Sequence, residues 1–269
     1  MANKSAKDNA RERLRQQQAA AAARKRRRRI IGVGAAVIVV IAAVVTTVVL
    51  VQHNQPEIQS AQRTIAPPDA NSDNTGIIVN PGKADSSAPV VAIYLDYQCP
   101  MCHQLEESYG PTFEELADSG AIQLQYRTMT FVEDLSGVHA RNIETGNPDS
   151  SQRAAVGAAC ADMAGVYSAY HDQIFDNQPE TEGDGYSNQL LRDTIPATIG
   201  LTGTKLTDFQ QCFDTQATQG FVQGVNDKGL AAGVNGTPTI KVNEKDLDLT
   251  QLSGDPADLP AAIAQAAES

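Results

Sequence analysis

The 269-residue chain has no tryptophan, and aromatic residues of every kind make up only 5% of it. That scarcity says little about function. Other shortages exclude more. Only four cysteines are present and just one pair of them is close in sequence. A structural zinc site wants four ligands, usually from two close pairs, so this chain is a poor zinc binder on spacing alone. Beyond Arg29, Lys and Arg are scarce, with 10 of them against 30 Asp and Glu. Phosphate contacts need clustered Lys and Arg, so the acidic body argues against nucleic-acid binding. No internal repeat is evident.

The basic charge that the body lacks is gathered at the other end. Residues 1–29 hold 11 Lys and Arg against Asp8 and Glu12, include the biased segment RQQQAAAAARK, and finish in RKRRRR. That cluster runs into IIGVGAAVIVVIAAVVTTVVLV, Ile30 to Val51, which is 22 residues without a charge. At about 1.5 Å per residue this run reaches about 33 Å as a helix, enough to cross a bilayer core. It exceeds the roughly 7–15 apolar residues of a cleavable signal. An uncleaved transmembrane helix at 30–51 is therefore expected, the alternative being a long secretory signal cut near Ser60–Ala61. The arginines should hold residues 1–29 in the cytoplasm as a basic arm, with the rest on the outer face of the cell membrane. Cys99, Cys102, Cys160 and Cys212 would then lie outside the reducing pool, where an even number of thiols usually means disulfides.

Residues 52–75 are rich in Gln, Asn, Pro and Asp and read as a flexible stalk. A domain is expected over 76–269. GIIVN suggests an edge strand, and PVVAIYLDY a strand buried on both faces. From Pro100 the pattern turns helical, with Pro111 expected to kink the helix before TFEELADSG completes it. AIQLQYRTMTFV alternates as a second central strand. A helical stretch is expected at about 149–233, then TPTIKVN and KDLDL as strands, then a closing helix near DPADLPAAIAQAAE. That order argues for an α/β fold, a central mixed sheet flanked by helices with an all-helical insertion. VEDLSGVHARN reads as a loop near the active face, where a substrate role for His139 is a weak guess. His53, His139 and His171 are expected on the stalk or the surface, and PETEGDG as a solvated loop.

The chemistry centres on YLDYQCPMCHQ, where C-x-x-C follows a buried strand. Cys99 sits at the junction of strand and helix, with Pro100 at the favoured first helical position. Free N–H groups and the positive end of the helix dipole then face its sulfur and favour thiolate, which marks Cys99 as the attacking nucleophile. Cys102, one turn on, is close enough to resolve a mixed disulfide. The same letters spell the haem motif C-x-x-C-H, with His103 as axial ligand and Met129 or Met163 as conceivable second ligands. A leading strand, and the motif around Pro238, count against haem, so no cofactor and no metal are expected. His103 reads better as a polar helix residue beside the pair, where its positive form would further favour the Cys99 thiolate. Met101 completes the inter-cysteine dipeptide.

With GVNGTPT opening a strand far downstream of CPMC, the chain resembles the thioredoxin fold in its DsbA-like branch. The likeness is greatest to membrane-anchored extracytoplasmic members found in actinobacteria, and it covers roughly Gly76 to the C-terminus. It implies a cis Thr237–Pro238 bond facing the cysteines, with the Thr237 backbone pairing a substrate peptide as a short added strand. It also implies a structural Cys160–Cys212 disulfide clamping the insertion, which could stabilise by on the order of 4 kcal/mol. A pair of free buried thiols and a second catalytic pair are the alternatives there. The family often buries an acid six residues before the first cysteine, where this chain has Ile93. Asp96, at odd spacing, would face the other side of an extended strand. Water, Asp96 through a bend, or Glu106 or Glu107 remain to handle the proton of Cys102.

The resemblance implies a thiol–disulfide oxidoreductase that oxidises newly exported cysteine-containing proteins and is reoxidised by a membrane partner. A reductase or isomerase would use the same residues, and a noncatalytic binding or chaperone module would normally lack one of the two cysteines. Nothing in the chain signals oligomerisation, so a monomer is expected.

Overall fold

A computed structural model describes residues 65–248 and 255–268. The basic arm, the apolar run at 30–51, His53 and most of the expected stalk lie outside the described residues. Among the described residues no helix is long and apolar enough to cross a membrane.

The β-branched runs form the strands. These are β1 (Ile77–Ile78), β2 (Val90–Leu95), β3 (Gln123–Thr128), β4 (Thr239–Val242) and β5 (Lys245–Leu247). They make one mixed sheet in the order β1-β3-β2-β4-β5. β2 runs parallel to β3, with Ile93 opposite Tyr126, and antiparallel to β4, with Ile93 opposite Ile240. A parallel pair needs a crossover. Helix α1 (Pro100–Asp118) supplies it and so starts at the end of the central strand. β2 is buried along nearly its whole length, as its unbroken apolar run demands.

Between β3 and β4 the chain is helical: α2 (Ser136–Glu144), α3 (Ser150–Met163), α4 (Tyr167–Asp176), a π-helical turn at Leu190–Thr194 leading into α5 (Ile195–Thr198), α6 (Gly203–Thr215) and α7 (Gln219–Ala231). α3 is buried almost all round, from Ala154 to Asp162 without a break. Its alanines let neighbouring helices approach from several sides, and a side chain at Gly157 would run into the ring of Tyr170. After β5, helix α8 (Leu259–Glu268) packs Leu259 and Ile263 into the core, against β5 and α1.

Three expectations change. The helical block starts earlier than 149, because VEDLSGVHARN is not a loop. It forms a short 3₁₀ turn at Phe131–Asp134 and then α2, which buries Val138 and Asn142. Tertiary anchoring outweighs its loop-like composition, since Asn142 donates to the Gln98 side chain and to the Gly183 carbonyl. His139 stays exposed on that helix. His171 is not at the surface: it is 1% exposed, in the i+4 slot of the buried stripe Tyr167, Tyr170, His171, Ile174. Pro111 lies inside α1, which runs on through TFEELAD to Asp118 as the helical reading of this stretch expects. Finally, residues 65–75 are fastened to the domain. The Ile65 N–H donates to the Ala217 carbonyl, the Asp69 N–H to Asp162, and Ala70 bridges to Ile77.

Candidate active site

β2 ends at Leu95, and the chain turns through Asp96, Tyr97 and Gln98 before α1 begins. Cys99 is the N-cap of α1, extended at φ −79° and ψ 119°, with Pro100 as the first helical residue. Cys99 and Cys102 are both reduced, 6% and 0% exposed. Thr237 precedes β4, and its bond to Pro238 is cis. The Cys99 thiol donates to the Thr237 carbonyl oxygen at 3.3 Å. The structure thus brings together the two cysteines, Pro100, Thr237 and Pro238. Met101 points outward, 57% exposed.

The two sulfurs differ chemically. Cys99 is lowered to about 6, chiefly by a hydrogen bond from the Cys102 thiol. Burial opposes this, while the Thr237 side chain and the N–H groups of Cys102 and Met101 add to it. Cys102 is pushed well above an ordinary thiol by burial and then by the bond it gives to Cys99. Near neutral pH one sulfur is an anion and its neighbour a thiol, which is the polarity that disulfide exchange requires.

Beneath the pair lies a polar network that strand periodicity could not reveal. Asp96 is 0% exposed and accepts from the Ser151 hydroxyl (2.6 Å) and from the N–H groups of Gln98 (2.9 Å) and Val132 (3.1 Å). Burial raises it to about 7 despite those bonds. The strand stops one residue before Asp96, so the alternation rule does not reach its side chain. Glu133, accepting from Ser151 N–H at the start of α3, is raised by burial to about 7 as well. Gln178 and Tyr186 were missed altogether. The Gln178 amide donates to the carbonyls of Tyr97 (2.7 Å) and Cys99 (3.1 Å), and the Tyr186 hydroxyl to that of Tyr97 (2.5 Å). Both come from the insertion, so no local pattern announces them.

Other candidates fall elsewhere. Glu106 turns toward Tyr126 and His171, and Glu107 is exposed. Met129 packs with Ala92, Tyr94 and Val234, and Met163 lies 3.7 Å from Cys212. His103 is half-buried, its ring edge-on to Phe175. Cys160 and Cys212 form a disulfide between α3 and α6.

A family model described as Thioredoxin matches residues 82–263. The chain belongs to this thioredoxin family. Its mixed five-stranded sheet with flanking helices fits the thioredoxin fold, and the DsbA-like thiol–disulfide oxidoreductase resemblance drawn from CPMC and GTPT is borne out. Disulfide bond formation protein D of Bacillus subtilis is 24% identical over 182 residues, covering 66% of this chain and 73% of its own. Among solved structures, the MdbA thiol-disulfide oxidoreductase of Actinomyces oris superposes with a TM-score of 0.58 at 18% identity, over 76% of this chain and 98% of its own. Reduced DsbA of Mycobacterium tuberculosis gives 0.55 at 23% identity, over 72% and 93%.

Proposed function

We propose that the protein is a disulfide oxidase held on the outer face of the cell membrane by residues 30–51, acting on newly exported cysteine-containing proteins. The observation that carries this is the unequal pair: a thiolate-favouring Cys99 at a helix N-terminus beside a buried, proton-holding Cys102. Stabilising the Cys99 thiolate stabilises the reduced pair and so makes its disulfide the more oxidising. The apolar run behind RKRRRR and the Cys160–Cys212 bridge support an oxidising compartment. The name of the Bacillus subtilis relative points in the same direction.

In the oxidised enzyme a substrate thiolate attacks the Cys99 sulfur. The Cys99–Cys102 bond breaks, and Cys102 leaves and takes a proton. Asp96, raised to about 7 beneath the pair, is a proton store for this step. The Thr237 backbone holds the substrate as a short added strand. A second substrate thiolate then attacks the substrate sulfur of the mixed disulfide and expels Cys99 as thiolate. The substrate loses two electrons and gains a disulfide. The dithiol enzyme passes the electrons to a membrane-bound oxidant.

Redox titration of the solubilised full-length chain against glutathione buffers, followed by thiol trapping, tests this. A potential less negative than about −200 mV is expected, and one near about −270 mV would place the protein among reductases. A Soret band in the same sample would overturn both.

A further inference from the structure

A cleft of about 550 Å³ lies between α1 and α4, within the roughly 300–1,000 Å³ of ligand clefts. Five carboxylates line it: Glu106, Glu107, Glu114, Asp172 and Asp176. Among the described residues no Lys or Arg pairs with any of them. Two acceptors are set into the wall. The Glu106 side chain is 9% exposed; its Oε2 accepts from the Tyr126 hydroxyl at 3.1 Å and lies 3.7 Å from His171 Nε2, which leaves Oε1 with no partner. Oε1 of Glu114 is also buried and unpartnered. Buried acceptors without a donor are costly, and a ligand that brought donors and positive charge to this wall would relieve them. Burial, and after it the neighbouring carboxylates, hold Glu114 above the ordinary range.

Among the described residues no three His, Cys, Asp or Glu side chains converge closely enough to hold a metal ion. The fitting cation is therefore an organic one on a long arm. We infer that the α1–α4 cleft receives a Lys or Arg side chain of the substrate polypeptide, close to the cysteine being processed. This role deepens the thiol–disulfide activity proposed above and presupposes it. Position supports it: His103, directly after Cys102, lines the head of the cleft. Phe175 lines it too, 5.1 Å from the ring of Tyr97. From residue 103 to residue 114 the helix extends about 16 Å. A substrate advances at most about 3.5 Å per residue, so a basic residue a few positions from the bound cysteine reaches these carboxylates. Arginine suits them best, since its planar fork engages carboxylate oxygens in pairs.

The test uses the solubilised full-length chain and dithiol peptides that differ only in Arg, Gln or Glu three positions from one cysteine. Oxidation rates are measured alongside the Kd of matching peptides with serine in place of cysteine. The Arg peptide is expected to bind about tenfold tighter than the Gln peptide, with the Glu peptide weakest and the spread shrinking in high salt. The exposed pair Asp172→Asn with Asp176→Asn, and separately Glu106→Gln, should each narrow the gap. The double variant should unfold at the same urea midpoint as the parent chain, which shows that the domain is folded. Equal Kd values for Arg and Gln peptides overturn the inference. So does a saturable thermal shift with micromolar CaCl2 that the same substitutions abolish, which would make the occupant a metal ion. If no peptide is oxidised, the proposed oxidase fails, yet the Kd ratio still decides the cleft.

Discussion

The chain carries two cysteine pairs with equal burial and opposite chemistry. Cys99 and Cys102 are 6% and 0% exposed, and Cys160 and Cys212 are 0% and 7%. Exclusion from water therefore does not separate a reactive pair from an inert one. Place along a helix does. Cys99 caps the N-terminus of α1, where N–H groups and the positive dipole end stabilise a thiolate. Cys160 and Cys212 sit within the last turn of α3 and of α6, at the negative end of each helix. A thiolate there is disfavoured both as attacker and as leaving group, so the bridge is suited to hold rather than to exchange. Spacing reinforces the contrast. The first pair lies three positions apart, while the second closes a separation of 52 and ties two helices of the insertion together.

The sharpest way to break this comparison is to remove a sulfur from each pair. Cys99→Ser should lower the rate of peptide oxidation by at least about a thousandfold, since the nucleophilic sulfur is gone. Cys102→Ser should instead accumulate mixed disulfide on Cys99, visible by non-reducing electrophoresis. Replacing both Cys160 and Cys212 with alanine should lower the unfolding free energy by about 4 kcal/mol in denaturant titrations. The folded fraction should keep its turnover. A turnover loss as deep as that of Cys99→Ser would show that the two pairs are not separate devices.

Smaller effects concern the groups around the exchanging pair. Asp96 and Glu133 both rise to about 7 on folding, from the ordinary carboxylate values of 3.8 and 4.5. Across that window the native state keeps protons that the unfolded chain has released, so stability should fall as pH rises from about 4 to 7. Each group contributes up to about 1.4 kcal/mol per pH unit. Asp96→Asn should flatten this dependence in urea midpoints taken at pH 5 and pH 8, and an unchanged slope would remove Asp96 as its source. Cys99 supplies a finer measure. The potential of the pair should change by about 59 mV per pH unit below about pH 6, where both sulfurs take up protons, and by about 30 mV above it. Smallest of all, His103→Ala should move the thiolate midpoint by less than about half a unit. The groups that lower Cys99 are its own helix N–H groups, Cys102 and Thr237.

Legibility from sequence follows the range of the interactions involved. The β2–CPMC–α1 unit could be read because strand, proline and helix start are contiguous. The role of the GTPT turn is legible only through family resemblance, since nothing local ties Thr237 to Cys99 across 138 residues. The Asp96 network escaped because the alternation rule assumes that the strand continues, whereas β2 stops at Leu95. His171 reads as a surface residue because a histidine is polar, yet its position on α4 lies in a stripe of buried aromatics. α2 reads as a loop because Gly137 and its polar neighbours outweigh two buried residues in composition, while those two residues decide its packing.

Sequence by itself determined the strand–helix junction that activates Cys99, the acidic body behind a basic, apolar N-terminal segment, and the mixed sheet with its helical block. Each of these depends on neighbours within a turn or a strand, or on composition alone. Only the tertiary structure decided which groups surround the sulfurs. Ser151, Gln178 and Tyr186 reach the Asp96–Cys99 turn from the insertion, and Cys160 meets Cys212 between two helices. Burial and hydrogen bonding by residues distant in sequence set the charge of a side chain, and that information exists only once the chain has folded.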